Sequence, residues 1–203
     1  MGTNPMFNIS YGLYVLTAND GGKDNGCIIN TVTQVTSDPN QITVAVNKAN
    51  YTHNIIADTK KFNVSVIAET ADFELFKHFG FQSGKDVDKF ASFAHVKRTA
   101  NGLYAVTHGT NAYISGEVEQ MWDVGTHTIF LARVSEMDVM NDTPSATYTY
   151  YHARIKPKPA ATEKGKTVWR CKICGYVYEG EELPPGFVCP LCKHGAEDFE
   201  KLR

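Results

Sequence analysis

The segment WRCKICGYVYEGEELPPGFVCPLCKHGAEDFEKL, residues 169–202, holds four of the chain's five cysteines in two Cys-x-x-Cys pairs. Cys171 and Cys174 form the first pair, Cys189 and Cys192 the second, with residues 175–188 between them. Two knuckles at that spacing can fold over one another and offer four thiolates to a single ion in tetrahedral geometry. Redox dithiols are the competing reading, but no βαβ pattern surrounds either pair. The fifth cysteine, Cys27, stands far upstream and reads as a small buried hydrophobe rather than a reactive thiol.

Zinc and iron both accept four sulfurs in a tetrahedron, and spacing alone leans to zinc. The flanking residues argue for iron. Trp169, Tyr176, Tyr178, Phe187 and Phe199 crowd the same short stretch. So small a module cannot build a large core, and aromatic rings packed on the knuckles supply most of its burial. An apolar shell of this kind also tunes the potential of an iron centre.

The motifs CKICGY, PPGFVCPLC and the closing DFE resemble a rubredoxin domain, in the shortened form found at the ends of larger redox proteins such as rubrerythrin. The short segment between the knuckles is shared with that form, while Lys193 stands where glycine is usual. The resemblance implies one iron held by Cys171, Cys174, Cys189 and Cys192. Such an ion has no open coordination position and passes single electrons. The rest of the chain must then supply or receive them.

The stretch ARIKPKPAATEKGKT, residues 153–167, carries two prolines and four lysines, with no large apolar residue after Ile155. It reads as a semi-extended connector between a domain at 1–152 and a small domain at 168–203. Across all 203 residues the formal charge is -2. That balance gives no reason to expect nucleic acid or an anionic membrane as partner. No apolar run reaches the roughly 18–20 residues of a membrane span, and no secretory pattern opens the chain. The expected compartment is the cytoplasm.

Residues 1–152 are mainly β in character. Runs at 11–17, 26–35, 42–46, 63–69, 102–109, 111–122 and 127–140 are rich in β-branched and apolar residues, and NDGG, DNG, SDPN and ANG punctuate them. Seven short strands suggest an antiparallel barrel. Two helices interrupt it: one with Thr52 as N-cap, and one across TADFELFKHFG that ends on Gly80 and places Phe73, Phe76 and Phe79 in the core. No Gly-x-Gly-x-x-Gly and no Walker sequence follows any strand, so no nucleotide binds here by those mechanisms.

GLYVLT, DNGCIINTVTQVTSDPNQITVAVNKANYTHNIIADTKKFNVSVIAE, HFGFQSGKDVDKF and VGTHTIFLARV, taken in order, resemble the flavin reductase-like, FMN-binding split-barrel family. The likeness covers roughly residues 5–150. It implies a split β-barrel that forms homodimers, with FMN near the interface. Carried onto this chain, Asn30, Thr31 and Val32 would line the flavin ring. Asn47, Lys48 and Thr52 would meet the ribityl chain and phosphate, with Lys89 a further phosphate candidate. His127 would lie near the flavin or nicotinamide as the catalytic candidate, and Thr126 stands before it where the family has aspartate. Taken singly, Asn30 and Thr31 are ordinary mid-strand polar residues and Lys48 and Lys89 ordinary solvated charges. The seven histidines show no metal-ligand spacing.

The order of the two halves resembles the high-molecular-weight rubredoxins of anaerobic bacteria. That implies an NAD(P)H-dependent flavin/rubredoxin oxidoreductase. FMN would take a hydride and pass electrons singly to the iron, and then to an acceptor such as a flavodiiron protein that reduces nitric oxide or oxygen. Two other readings stay open. One is a free-flavin or ferric reductase; the other is a flavin-binding protein whose C-terminal module is a zinc ribbon used for docking.

Overall fold

A computed structural model describes residues 5–157, 167–172, 176–190 and 195–202. The chain divides into two compact units, residues 1–156 and 157–203.

The first unit is built on one antiparallel sheet. Its strands are β1 (Tyr14–Asn19), β2 (Asp24–Ile29), β3 (Val32–Ser37), β4 (Asn40–Asn47) and β5 (Lys61–Ile67), then a short β6–β7 hairpin (Val96–Arg98 and Tyr104–Val106) and the long strands β8 (Thr110–Asp123) and β9 (His127–Val139). Seven of them lie in the order β2-β1-β5-β8-β9-β4-β3, and β6 pairs only with β7. The two edges, β2 and β3, are consecutive in sequence and joined only by Asn30 and Thr31. Ile29 and Val32 are three Cα steps, at most about 11 Å, apart, so the end of one edge strand meets the start of the other and the sheet is curled into a barrel with a seam where they meet. The run 26–35, expected as one strand, is therefore two strands on opposite edges.

Alternation on the strands sorts the core onto two faces. Leu16, Val44, Val46, Phe62, Val64 and Phe130, all fully buried, form the interior cluster. Helix α1 (Tyr51–Thr59) closes it with Ile55 and Ile56, one turn from the buried Thr52. Asn50, not Thr52, is its N-cap, and Lys60 ends it in the left-handed conformation, donating its N–H to the Ile56 carbonyl at 2.9 Å. On the other face Leu13, Val15 and Ile67 meet helix α2 (Phe73–Gly80) through Leu75, Phe76 and Phe79. Asp72 caps α2 by accepting from the Leu75 N–H at 3.1 Å. Phe73 is only partly buried, and packs on Phe81 and Tyr151.

After β9 a helical turn runs from Tyr148 to Tyr150 and continues as a π-turn over Tyr151–Ile155. Residues 153–155, read above as the start of the connector, belong to it; residues 158–166 of the connector lie outside the described residues.

The second unit has a three-stranded antiparallel sheet, with β10 (Val168–Cys171) between β11 (Val177–Glu179) and β12 (Phe199–Lys201). Cys171, Cys189 and Phe199 form its core, with Trp169, Tyr176, Tyr178 and Phe187 packed around them. Among the described residues of the chain, no helix is long and apolar enough to cross a membrane.

Candidate functional site at the barrel seam

The seam opens into a cavity of about 310 Å3. One wall is the β2–β3 link, Asn30 to Thr33, and the facing wall is Ile9 to Gly12. The floor is the outer face of β4 and β9, where Thr43, Ala45 and Ile129 line the cavity. Strand alternation explains the floor: Ile42, Val44 and Val46 point inward and are buried, so Thr43, Ala45 and Asn47 point out. Ala45 pairs with Ile129, and one pleat further Asn47 pairs with His127. The cavity floor and these two polar residues thus form one strip along the same face.

Thr31 holds the seam in place. Its Oγ1 donates to the Ala45 carbonyl at 2.7 Å and accepts from the Ala45 N–H at 3.3 Å, so a side chain continues the ladder where β3 has not yet begun. The Asn30 side chain makes no hydrogen bond to another described residue and is half-buried at the wall, which leaves its amide to a ligand. Val32 lines the cavity, and its side chain also packs against the interior cluster. On the facing wall a Cβ at Gly12 would lie 2.3 Å from the Tyr14 hydroxyl, so a larger residue there would push the Tyr14 ring aside.

At the end of the strip, the Thr126 hydroxyl lies 2.9 Å from Nδ1 of His127. That contact selects a ring orientation in the position where the family has aspartate. Lys48 donates its N–H to the Thr126 carbonyl at 3.0 Å and its ammonium to Asp123 at 2.6 Å. The lysine's hydrogen bond, helped by the Gly125 N–H, holds the Asp123 carboxyl below its usual range. Both partners are exposed, so the ion pair positions the β8–β9 turn more than it stabilises the fold.

Two of the expected phosphate contacts lie elsewhere. Thr52 is fully buried inside the barrel end, where its hydroxyl accepts from Asn25 Nδ2 at 2.9 Å. Lys89 is 3% exposed and donates to the carbonyls of Gly26 and Phe79 at 2.8 and 2.9 Å. Its ammonium fastens the end of α2 to β2, because buried carbonyls at a helix C-terminus attract a cation. Neither residue lines the cavity. Burial pushes the Cys27 thiol well up, in keeping with an unreactive core cysteine.

Sequence reasoning missed the Ile9–Gly12 wall and Thr33, Thr43, Ala45 and Ile129. The period-2 pattern of β4 could have pointed to Thr43 and Ala45. A second cavity, of about 370 Å3, lies beside α2 between Asp72, Lys77, His78, Phe93 and His108, and takes in none of the expected site residues.

In the second unit, Cys171 and Cys189 are buried, 1% and 0% exposed. Cys171 closes β10 and donates its N–H to the Tyr176 carbonyl at 2.8 Å. Phe187 and Phe199 meet edge to face at 5.2 Å beside them. Buried cysteine sulfurs inside an aromatic shell fit a thiolate-bound metal. Cys174 and Cys192 lie outside the described residues.

Residues 6–158 match the flavin reductase like domain. The chain belongs to the flavin reductase-like family. Its C-terminal residues 169–200 match the rubrerythrin, rubredoxin-like domain. The high molecular weight rubredoxin of Moorella thermoacetica is 37% identical over 231 aligned positions that cover the whole of both chains. The ferric-chelate reductase (NAD(P)H) of Archaeoglobus fulgidus is 37% identical over 162 positions, covering 80% of this chain and 95% of that one. In fold, the NADH:FAD oxidoreductase of Streptomyces globisporus superposes with a TM-score of 0.63 at 20% identity, over 80% of this chain and 99% of its own. A flavin reductase-like barrel joined to a rubredoxin-like module is an oxidoreductase architecture for flavin-dependent electron transfer.

Proposed function

We propose that the seam cavity holds the isoalloxazine ring of FMN, and that the protein relays electrons from NAD(P)H to an iron bound by Cys171, Cys174, Cys189 and Cys192. When bound, the flavin would supply hydride acceptance and release of electrons one at a time, which a four-thiolate iron requires. The cavity carries this reading. Its floor of Ala45 and Ile129 suits the flat face of a ring, while Asn30, Thr31, Thr33 and Thr43 set amide and hydroxyl groups around the edge. Asn47 and His127 extend the strip toward the ribityl side. His127, with its Nδ1 beside the Thr126 hydroxyl, is the residue proposed to orient a nicotinamide or hold a proton.

Trp122, 45% exposed, pairs with Ile129 beside the cavity floor, and with exposed Val35 and Val124 it marks the face a second copy would cover in a homodimer. Two Cys-x-x-Cys pairs read as a metal site suit a reducing cytoplasm. The acceptor is a redox protein, of which a flavodiiron NO or O2 reductase is the type the fusion suggests.

A second reading has its own support. No charged side chain lines the cavity, and Lys48 is engaged by Asp123 while Lys89 is buried. A flavin held without a cation on its phosphate could exchange, as a reductase of free flavin or ferric chelates requires.

An anaerobic titration of the full chain with NADH, followed in the visible spectrum, tests both. Bleaching of a retained flavin band together with an iron–thiolate band supports the relay. A flavin that passes through gel filtration separately, with turnover only when it is added back, supports the exchanging reductase. Absence of any iron–thiolate band, with zinc found by metal analysis of the same sample, assigns the cysteines to zinc and overturns the relay. Within the cavity, Asn30→Ala is expected to weaken FMN binding about tenfold, the loss of one or two ligand hydrogen bonds.

A further inference from the structure

The wall of the cavity and the root of the connector are one piece of structure. The Tyr148 N–H donates to the Tyr11 carbonyl at 2.8 Å, and Gly12 forms a β-bridge with Thr147. The two rings meet edge to face, Tyr11 against Tyr148 with centroids 6.4 Å apart. Tyr148 in turn stacks on Tyr151 and meets His152 edge-on at 4.6 Å. Tyr151 is buried against Phe76 at 4.5 Å, so α2 supplies the fixed end of this stack. From there the π-turn Tyr151–Ile155 leads directly to Lys156, where the first unit ends. Turns of this type recur at functional sites because their hydrogen bonds are less regular than those of an α-helix.

We propose that Tyr148 is a positioning residue for the cavity, and that ligand binding at the seam and ordering of residues 148–156 are two sides of one equilibrium. This rests on the reading of the seam as the flavin site. Tyr11 can stand firm as a wall only while the Tyr148 turn is packed behind it. A ring seated between that wall and Thr31 gains contacts in the packed state that it lacks when the turn frays, and this differential is what shifts a population. By reciprocity, whatever loosens the connector root weakens ligand binding by the same factor. The cavity thereby sets the stiffness of the segment that leads out toward the cysteine module.

The test is hydrogen exchange on the full, metal-loaded chain with and without saturating FMN. Exchange at 147–156 is expected to slow about fivefold or more, the scale of ordinary coupling, together with 9–12 and 30–33. The β6–β7 hairpin at 96–106, away from the cavity, serves as the reference for any general stabilisation. Tyr148→Ala should weaken FMN binding about five- to tenfold and abolish the added protection at 150–156, while Tyr148→Phe, which keeps the ring, should preserve both. Protection at 9–12 and 30–33 without protection at 147–156 overturns the coupling and leaves the flavin site standing. No protection at 30–33 overturns the site reading and the coupling with it. Should Tyr148→Ala fail to fold, the wild-type exchange pattern decides alone.

Discussion

The two units solve the problem of making a core in opposite ways. In the first, seven strands and two helices bury aliphatic and aromatic side chains on both faces of one sheet, and β1 alone contributes Val15 to one face and Leu16 to the other. In the second, the buried side chains among the described residues are Val168, Cys171, Cys189 and Phe199, and two of those four are sulfurs. Burial of apolar surface scales badly with shrinking chain length, so a module of this size leans on its metal. The difference leads us to expect a first unit that stands on its own core and a second that depends on its metal.

Metal removal should break the comparison most widely. Chelation of the iron, or Cys171→Ser, is expected to abolish exchange protection across 167–202, since metal binding to such modules is worth on the order of 10 kcal/mol. The melting transition of residues 1–156 should stay where it was. A shift of both units together would show that they fold cooperatively and that the division drawn here fails.

Lys89 is the exception inside the hydrocarbon-rich unit, and it sharpens the contrast. Lys89→Met keeps most of the volume but strips two buried carbonyls, of Gly26 and Phe79, of their donor. At about 1–3 kcal/mol for each unsatisfied group, the first unit should lose roughly 2–6 kcal/mol in denaturant unfolding. The spectrum of the metal module should not change. Flavin affinity measured well below the melting temperature should stay within about twofold, whereas a phosphate ligand would cost tenfold or more on removal. The second result would return Lys89 to the site.

That contrast also shows what a reader of the sequence can and cannot see. The β8 and β9 strands were legible because their β-rich runs at 111–122 and 127–140 are long. The cysteine pairs were legible because metal chemistry demands a local spacing. Asn30 and Thr31 were placed on a flavin wall only through family likeness, and the structure puts them at the seam for a topological reason: they carry the chain from one sheet edge to the other. No local pattern announces such a crossing inside an unbroken β-branched run. Lys89 reads as a solvated charge in its own neighbourhood, and only the packing of α2 on β2 buries it. The turn at 148–155 was missed because TYTYYHARI is rich in residues of modest helix propensity and is held by Tyr11 and Phe76, far away in sequence.

The smallest expected effect lies at the root of the connector, where neither strategy is at full strength. His152 packs edge-on against Tyr148 and Tyr151, and its pKa is lowered by partial burial first and by Lys156 second. Of the charged groups close in sequence, Arg154 adds a second cation and no carboxylate. The unfolded chain therefore takes up the proton before the folded one does. The stability His152 contributes is present above its unfolded pKa of about 6.5 and is lost as pH falls through the lower folded value. Because the ring is half in solvent, the loss should appear as faster exchange at 148–156 rather than as a large change in global melting. His152→Gln should flatten the response between pH 7.5 and 5.5 while leaving the thiolate module's own pH dependence in place. If acid loosens the barrel core around Phe62 and Val64 just as much, the root is no softer than the sheet it grows from, and coupling between cavity and connector would need a different hinge.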